Sequence, residues 1–460
     1  MKRKRRRKAK GVGQAVPKLK ALEQINYNAA GIDVGDDEMY VAVPEGRDEV
    51  SVRVFRTFTA DLYALAEWLE GCAVDTVAME STGVYWIPLY EILEGRGFEV
   101  YVVNARHVKN VPGRSTDILA CQWIQQLHTY GLLQASFRPA EEIRALRSLV
   151  RHRENLIEST TREIQHMQKA LQQMNVKLTN VISDITGLTG MRIMRDIVAG
   201  QRDPKKLAQH RNVHCAKSEE EIAKSLQGHY KPEHVFELKQ ALAAYDFYQQ
   251  QIKECDVEIE QRYAAFEPQI DDTDRPLPPP KRKRRKASKN TPDFDLRLHL
   301  YRWSGVDLTQ IDGLDALTVQ KVLTETGVDM SPWRTVKHFT SWLSVCPHND
   351  KTGGKVIKSG TKKTQNRAAA ALRMAAQSLS HSKSALGTYY RRMRARLGGP
   401  EAITATAHKL ARIIYAMLKN QTEYVDPGED YYEEQARQHA LNRLKRRAKN
   451  LGFVLVPVVT

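Results

Sequence analysis

"YNAAGIDVG", residues 27–35, decides how the first third of the chain is read. Small and apolar residues lead up to Asp33, and Gly35 closes the run. That pattern predicts a strand with a carboxylate at its C-terminal end. "EMYVAVP" (38–44) and "SVRVFRTF" (51–58) follow as strands separated by turn residues. "ADLYALAEWLEGC" (60–72) then has helical periodicity, "DTVAMES" (75–81) reads as a strand, "VYWIPLYEILEGRG" (84–97) as a helix and "FEVYVVN" (98–104) as a strand. Three consecutive strands followed by helix, strand, helix and strand predict a mixed sheet with helices on its faces.

Three acids fall at informative ends of these elements. Asp33 closes the first strand, Glu80 closes the fourth, and Asp117 opens a helix in "GRSTDILACQW" (113–123), where Ser115 and Thr116 are capping candidates. Carboxyl ends of neighbouring strands lie close together in such a sheet. Strand-end carboxylates with one from a crossing helix suit two divalent ions and in-line attack on a phosphodiester. Magnesium prefers these hard oxygen donors. Singly, each acid has a structural reading: an Asx-turn for Asp33, a turn cap for Glu80, a match to the helix macrodipole for Asp117. Asp36 and Asp37 lie past the glycine turn and Asp75 starts its strand at the opposite edge, so they are poorer candidates.

The chain has 460 residues, 42% of them hydrophobic, enough for two or three domains with real cores. Its formal net charge is +17. The first twenty residues carry ten Lys or Arg and no acid, including Lys2, Arg3, Lys4, Arg5, Arg6 and Arg7. "KRKRRKASK" (281–289) carries seven more, beginning Lys281, Arg282, Lys283, Arg284 and Arg285. The remaining 54 basic residues balance the 54 acidic ones, so the two runs hold the whole excess. Such runs meet polyanions, and nucleic acid is the expected partner. No apolar run is long enough to cross a membrane and no signal peptide is evident, so a cytoplasmic, nucleoid-associated protein is expected. Five scattered cysteines without zinc-site spacing read as reduced packing residues.

Residues 141–264 read as an elongated helical region. Ile143, Val150, Ile157, Ile164 and Leu171 recur every seven residues, with Leu146, Met167 and Met174 in the companion series that Arg153 and Thr160 interrupt. Leu238, Tyr245, Ile252 and Ile259, with Ala241, Tyr248 and Cys255, repeat the pattern. Two such helices predict a coiled-coil hairpin or a dimer stalk. Residues 265–292 have the Pro-rich, charged composition of a linker. Beyond them the pattern is helical again. "DLTQIDGLDALTVQKVLTETG" (307–327) resembles a helix-hairpin-helix unit, although Asp315 stands where a second glycine is common.

Together these motifs resemble a family. "GIDVG", "AMESTGVYW" and "GRSTDILACQWIQQLHTYGLL" are similar to the DEDD transposases of bacterial insertion sequences, the 110 and 1111 groups. "LTQIDGLDALT", "HFTSWLSVCPHNDKTGGKV" and "NRAAAALRMAAQSL" resemble that family's C-terminal domain, in the same order. The resemblance runs from about residue 27 to 420. It implies a ribonuclease-H-like, resolvase-type sheet domain at 27–140, the helical region at 141–264, the linker, and a helical transposase domain at 293–425. Basic and C-terminal tails occupy 1–26 and 426–460. The fold class is thus α/β plus all-α. The resemblance further implies magnesium or manganese, donor and target DNA, a structured guide RNA and a homo-oligomer. Its four acids fall on Asp33, Glu80, Asp117 and position 120, which here is Ala120. That departure implies an impaired copy. Its nucleophilic serine falls on Thr352, with Ser359 as the fallback. Lys355, Lys358, Lys362, Lys363 and Arg367 make the surrounding loop basic enough to face phosphate. Rival readings are a metal-dependent branched-DNA nuclease and a non-catalytic RNA- and DNA-binding protein.

Overall fold

A computed structural model describes residues 22–80, 83–104, 116–281, 289–362, 364–428 and 430–456, apart from the side chains of residues 351, 358, 432, 433 and 436. Its contacts divide the chain into two compact units, 1–138 and 139–460. Among the described residues, no helix is long and apolar enough to cross a membrane.

The first unit is built on a five-stranded sheet. β1 (Ala29–Val34), β2 (Glu38–Ala42) and β3 (Val52–Arg56) are antiparallel neighbours, while β4 (Thr76–Glu80) and β5 (Glu99–Val103) add in parallel on the other side of β1. The order is β3-β2-β1-β4-β5. Helices α1 (Thr59–Gly71) and α2 (Trp86–Gly95) connect the parallel strands. Alternation along each strand divides side chains between the faces. Ala30, Ile32 and Val34 of β1, Met39 and Val41 of β2, and Val77 and Met79 of β4 form one core with Leu65 and Leu69 of α1 and Leu89 and Leu93 of α2. On the opposite face α3 (Asp117–Thr129) lays Trp123, Ile124 and Leu127 on Ala78 and Val103. The predicted strands and helices of residues 27–104 all occur, with ends shifted by at most two residues.

Among its described residues the second unit is helical apart from one small hairpin. α4 (Glu141–Gln173) and α9 (Pro232–Ala265) run side by side. Arg153 meets Asp256 about a third of the way along the pair, and Leu171 shares a core with Leu238 near the far end, so the pair is antiparallel. The short helices α5 (Leu178–Val181), α6 (Leu188–Val198), α7 (Pro204–Ala208) and α8 (Glu219–Ser225) cap that end. Arg153 and Thr160, which interrupt the apolar seven-residue series, are themselves buried, 4% and 6% exposed. The seam therefore continues through them, because the Arg153 guanidinium is held by the Asp256 carboxylate. Residues 266–281, expected as a linker, lie against α10 (Leu296–Ser304): Tyr301 Oη donates to the Arg275 carbonyl and Arg297 to the Pro278 carbonyl. α11 (Ala316–Thr326), α12 (Val336–Trp342), strands β6 (Asp350–Thr352) and β7 (Lys355–Lys358), α13 (Arg367–Ser378), α14 (Ala385–Leu397), α15 (Gly399–Asn420) and α16 (Tyr431–Asn450) complete the chain.

Candidate active site

β1 and β4 are parallel with Ile32 opposite Met79, so the next step of the register sets Asp33 beside Glu80. Adjacent Cα atoms in a sheet lie about 4.8 Å apart. Both residues alternate onto the face that α3 covers, because their neighbours Ile32 and Met79 belong to the opposite core. Glu80 is 5% exposed and Asp33 is half-buried.

α3 runs antiparallel to these strands. Its last turn is fixed at the start of β1 and β4: Ile25 and Asn26 N–H groups donate to the Thr129 carbonyl, and Thr76 Oγ1 meets His128 Nε2 at 2.8 Å. Its first turn therefore falls at the strand C-termini. Thr116 caps it, accepting from Leu119 N at 3.3 Å, and Asp117 is the first helical residue. The positive end of the α3 macrodipole thus faces the Asp33 and Glu80 carboxylates.

One glycine sets how closely the helix approaches. A Cβ built on Gly31 would lie 2.1 Å from Gln125 N and 2.4 Å from Cys121 O. α3 consequently rests on the backbone of β1, two residues before Asp33. Cys121, one turn after Asp117, is buried, and its thiol is pushed up to about 12, first by burial and then by the Asp33 charge. Tyr40 stands opposite Asp33 on β2 and donates to Glu38 Oε2 at 3.2 Å. That hydrogen bond, followed by burial and by the charges of Glu38, Asp117 and Asp33, raises its phenol. Gly31 and Cys121 lie inside the quoted motifs, but neither they nor Tyr40 carry a chemical signature of their own. Only the strand register and the helix crossing bring them to the acids.

Asp33, Glu80 and Asp117 thus offer hard oxygen donors around one end of one sheet face, the donor type that suits magnesium. They do not close a cage: among the described residues, no three His, Cys, Asp or Glu side chains come close enough to enclose an ion. Position 120, one turn beyond Asp117 and one turn before Ile124, presents the Ala120 methyl, 9% exposed.

In the second unit, "KTGGK" forms a two-residue hairpin turn. Gly353 and Gly354 have φ of 55° and 79°, the left-handed pair of a type I′ turn. Thr352 and Lys355 flank it as register partners, both exposed at the tip. The Thr352 hydroxyl has no hydrogen-bond partner among the described residues. Ser359 lies at the base of the hairpin, where its hydroxyl donates to Asn349 Oδ1 at 2.9 Å. Lys362 is exposed. Arg367 pairs with Glu154 at 2.9 Å, and Lys281 pairs with Asp312 and, at 3.7 Å, with Asp426, so both cations are engaged inside the unit. In the hairpin-like segment before it, Gly313 is the left-handed glycine, and Asp315 caps α11 by accepting from Thr318 N at 2.8 Å. Lys2, Arg3, Lys4, Arg5, Arg6, Arg7, Ser115, Arg282, Lys283, Arg284, Arg285, Lys363 and the Lys358 side chain lie outside the described residues.

Two family models match the chain. Residues 30–176 match the DEDD transposase model of the IS110 group, described as "Transposase". Residues 307–391 match a model described as "Transposase IS116/IS110/IS902 family". Asp33, Glu80, Asp117 and Ala120 lie inside the first match, and Thr352 and Ser359 inside the second. No curated protein matches.

Proposed function

The chain belongs to the IS110 family of transposases, enzymes of DNA recombination, and from that premise we propose how its own residues divide the work. The observation that carries the proposal is the parallel register that sets Asp33 beside Glu80 on the face crossed by the Asp117 helix. The sheet domain is ribonuclease-H-like, a reading supported by three antiparallel strands extended by two parallel ones. Asp33, Glu80 and Asp117 would hold magnesium or manganese, which would supply charge stabilisation for a phosphodiester under attack. The positive end of α3 orients the carboxylates. The helical pair of the second unit acts as a coiled coil that supports a homo-oligomer.

Thr352 is the nucleophile. Its Oγ1 loses its proton to solvent or to a neighbouring carboxylate and forms a bond to phosphorus. The bond from phosphorus to one DNA sugar oxygen breaks, and that oxygen leaves as a hydroxyl once protonated. Lys355 and Lys362 offset the phosphate charge. Ser359 is the weaker candidate, because its hydroxyl is engaged with Asn349 at the base of the hairpin. A structured RNA that selects donor and target DNA is consistent with the two basic runs, since RNA is recognised mainly through backbone charge and shape. Ala120 removes the fourth donor, so this chain turns over poorly.

The test is trapping of a covalent protein–DNA adduct with Ala120→Asp protein, manganese, guide RNA and DNA. An adduct that forms with Ala120→Asp and disappears on adding Thr352→Ala is the expected result. Cleavage without adduct would instead favour the branched-DNA nuclease. Absence of both, with nucleic acid still bound, would favour the non-catalytic binder.

A further inference from the structure

The balance of 54 basic and 54 acidic residues outside the two basic runs hides a strong local separation. Between residues 385 and 420 there are seven Lys or Arg and one acid, Glu401. Between 435 and 456 there are six and no acid. These residues form the last three helices, and α14 packs against both α15 and α16. None of Arg394, Arg396, Arg412, Arg443, Lys445 or Arg447 makes an ion pair with any described residue. His408 and Lys409 on α15 show the consequence: burial, then the Arg412 charge, lowers both below their ordinary values.

α16 is exposed along nearly its whole length. Of its described side chains, Leu441 and Ala448 alone are half-covered. At 20 residues it extends about 30 Å, close to one turn of B-DNA. Arg443 and Arg447, and Lys445 and Lys449, are like charges at i, i+4, which weakens a helix in water. A polyanion along the helix would turn that repulsion into attraction. The stretch 437–449 contains no Phe, Tyr or Trp, so it offers no platform on which unpaired bases would stack. Among the described side chains, exposed aromatics flank it at Tyr431 and Phe453.

We propose that the end of α14 and the basic half of α16 form a docking surface for the sugar–phosphate backbone of duplex DNA. The surface lies almost wholly beyond the residues matched by the family models, which end at 391. Duplex DNA rather than single strands is the partner because charge is dense and stacking side chains are missing. Recognition through phosphates alone would be indifferent to sequence. The surface serves the transposase by holding flanking DNA and needs neither the acids nor the Thr352 hydroxyl.

The experiment is fluorescence anisotropy of the full chain with a mixed-sequence duplex DNA over a salt series. A chain carrying Thr352→Ala serves as host, so failure of the hydroxyl chemistry leaves the result readable. Arg443→Gln, Lys445→Gln and Arg447→Gln together should flatten the slope of log K against log salt by about 2 to 3, at roughly 0.9 per phosphate contact. Arg443→Lys with Arg447→Lys should keep the parent slope. Matching far-ultraviolet circular dichroism melts establish that the variants fold, and a chain ending at Asp430 should reproduce the slope change. An unchanged slope in the triple variant and the truncated chain overturns the proposal. So does a slope change seen only with duplex RNA, or an equal loss of binding to anionic vesicles.

Discussion

Gly31→Ala tests the contact that positions the acids. The added methyl would meet Gln125 N at 2.1 Å, Cys121 O at 2.4 Å and Gln125 Cα at 2.6 Å, all backbone atoms that no rotamer change can move. To restore ordinary contact, α3 must retreat from β1 by about 1 Å, and overpacking of this kind costs about 1–3 kcal/mol. Asp117 moves with the helix, away from Asp33 and Glu80. A displacement of about 1 Å of a catalytic group costs on the order of a hundredfold in rate. The assay pairs guanidinium unfolding with thiol labelling mapped by mass spectrometry. Cys121 is buried on α3 itself, while Cys72 is buried in the core on the opposite face and serves as the internal standard. Labelling of Cys121 should accelerate in Gly31→Ala, with Cys72 unchanged. Gly71→Ala is the control, because its Cβ meets nothing within 4 Å. If Gly31→Ala is as stable as the parent and Cys121 stays protected, close approach at Gly31 does not hold the helix.

His128 has its pKa lowered to about 4 by burial. An unfolded histidine titrates near 6.5, so between about 6.5 and 4 the unfolded chain takes up a proton that the folded chain refuses, and stability falls by up to about 3 kcal/mol as pH drops through that window. His128→Gln should flatten this part of the pH–stability curve; a curve parallel to the parent's would assign the loss elsewhere. Arg153→Met leaves the buried Asp256 carboxylate uncompensated and should cost about 3–5 kcal/mol, whereas Arg153→Met with Asp256→Leu should recover most of it. Equal losses in the single and double variants, read by urea midpoints, would contradict that account. Ala120→Asp buries a carboxylate and should lower the stability without divalent ions by about 1–3 kcal/mol, read from urea unfolding, with recovery on adding manganese. Absence of any manganese-dependent recovery would remove position 120 from the ligand set.

Much of the sheet was legible because strand alternation and turn residues are local. Asp33, Glu80 and Asp117 were legible because each ends or begins an element. Gly31 was not, since its requirement comes from a helix about ninety residues later. A glycine two residues before a strand-end acid reads as ordinary until the crossing helix is in place. Tyr40 reaches the acids only through the β1–β2 register. Arg153 looked like a break in the apolar seam because its counter-charge, Asp256, lies 103 residues away. The prolines of 265–280 suggested a free linker, yet their carbonyls accept from Arg297 and Gln310. The C-terminal basic surface was concealed by counting charge over the whole chain. A windowed count from 385 onward would have found it.

The small residues on the α3 face give Ala120 its meaning. Gly31 and Ala78 let a helix lie on β1 and β4, and the first turn of that helix stands over the strand ends where Asp33 and Glu80 sit. A carboxylate at 120 would be buried, since Ala120 is 9% exposed, and a buried charge costs free energy unless a cation offsets it. A methyl removes that cost and the need for the cation together. The intact capping by Thr116, the close approach at Gly31 and the shared face of Asp33 and Glu80 therefore separate two properties of the site. The contacts that hold the scaffold are the backbone approach at Gly31 and the Thr116 cap. On the proposed reading, tight binding of the ion would depend on the side chain at 120, and Ala120→Asp would supply it without rebuilding the fold.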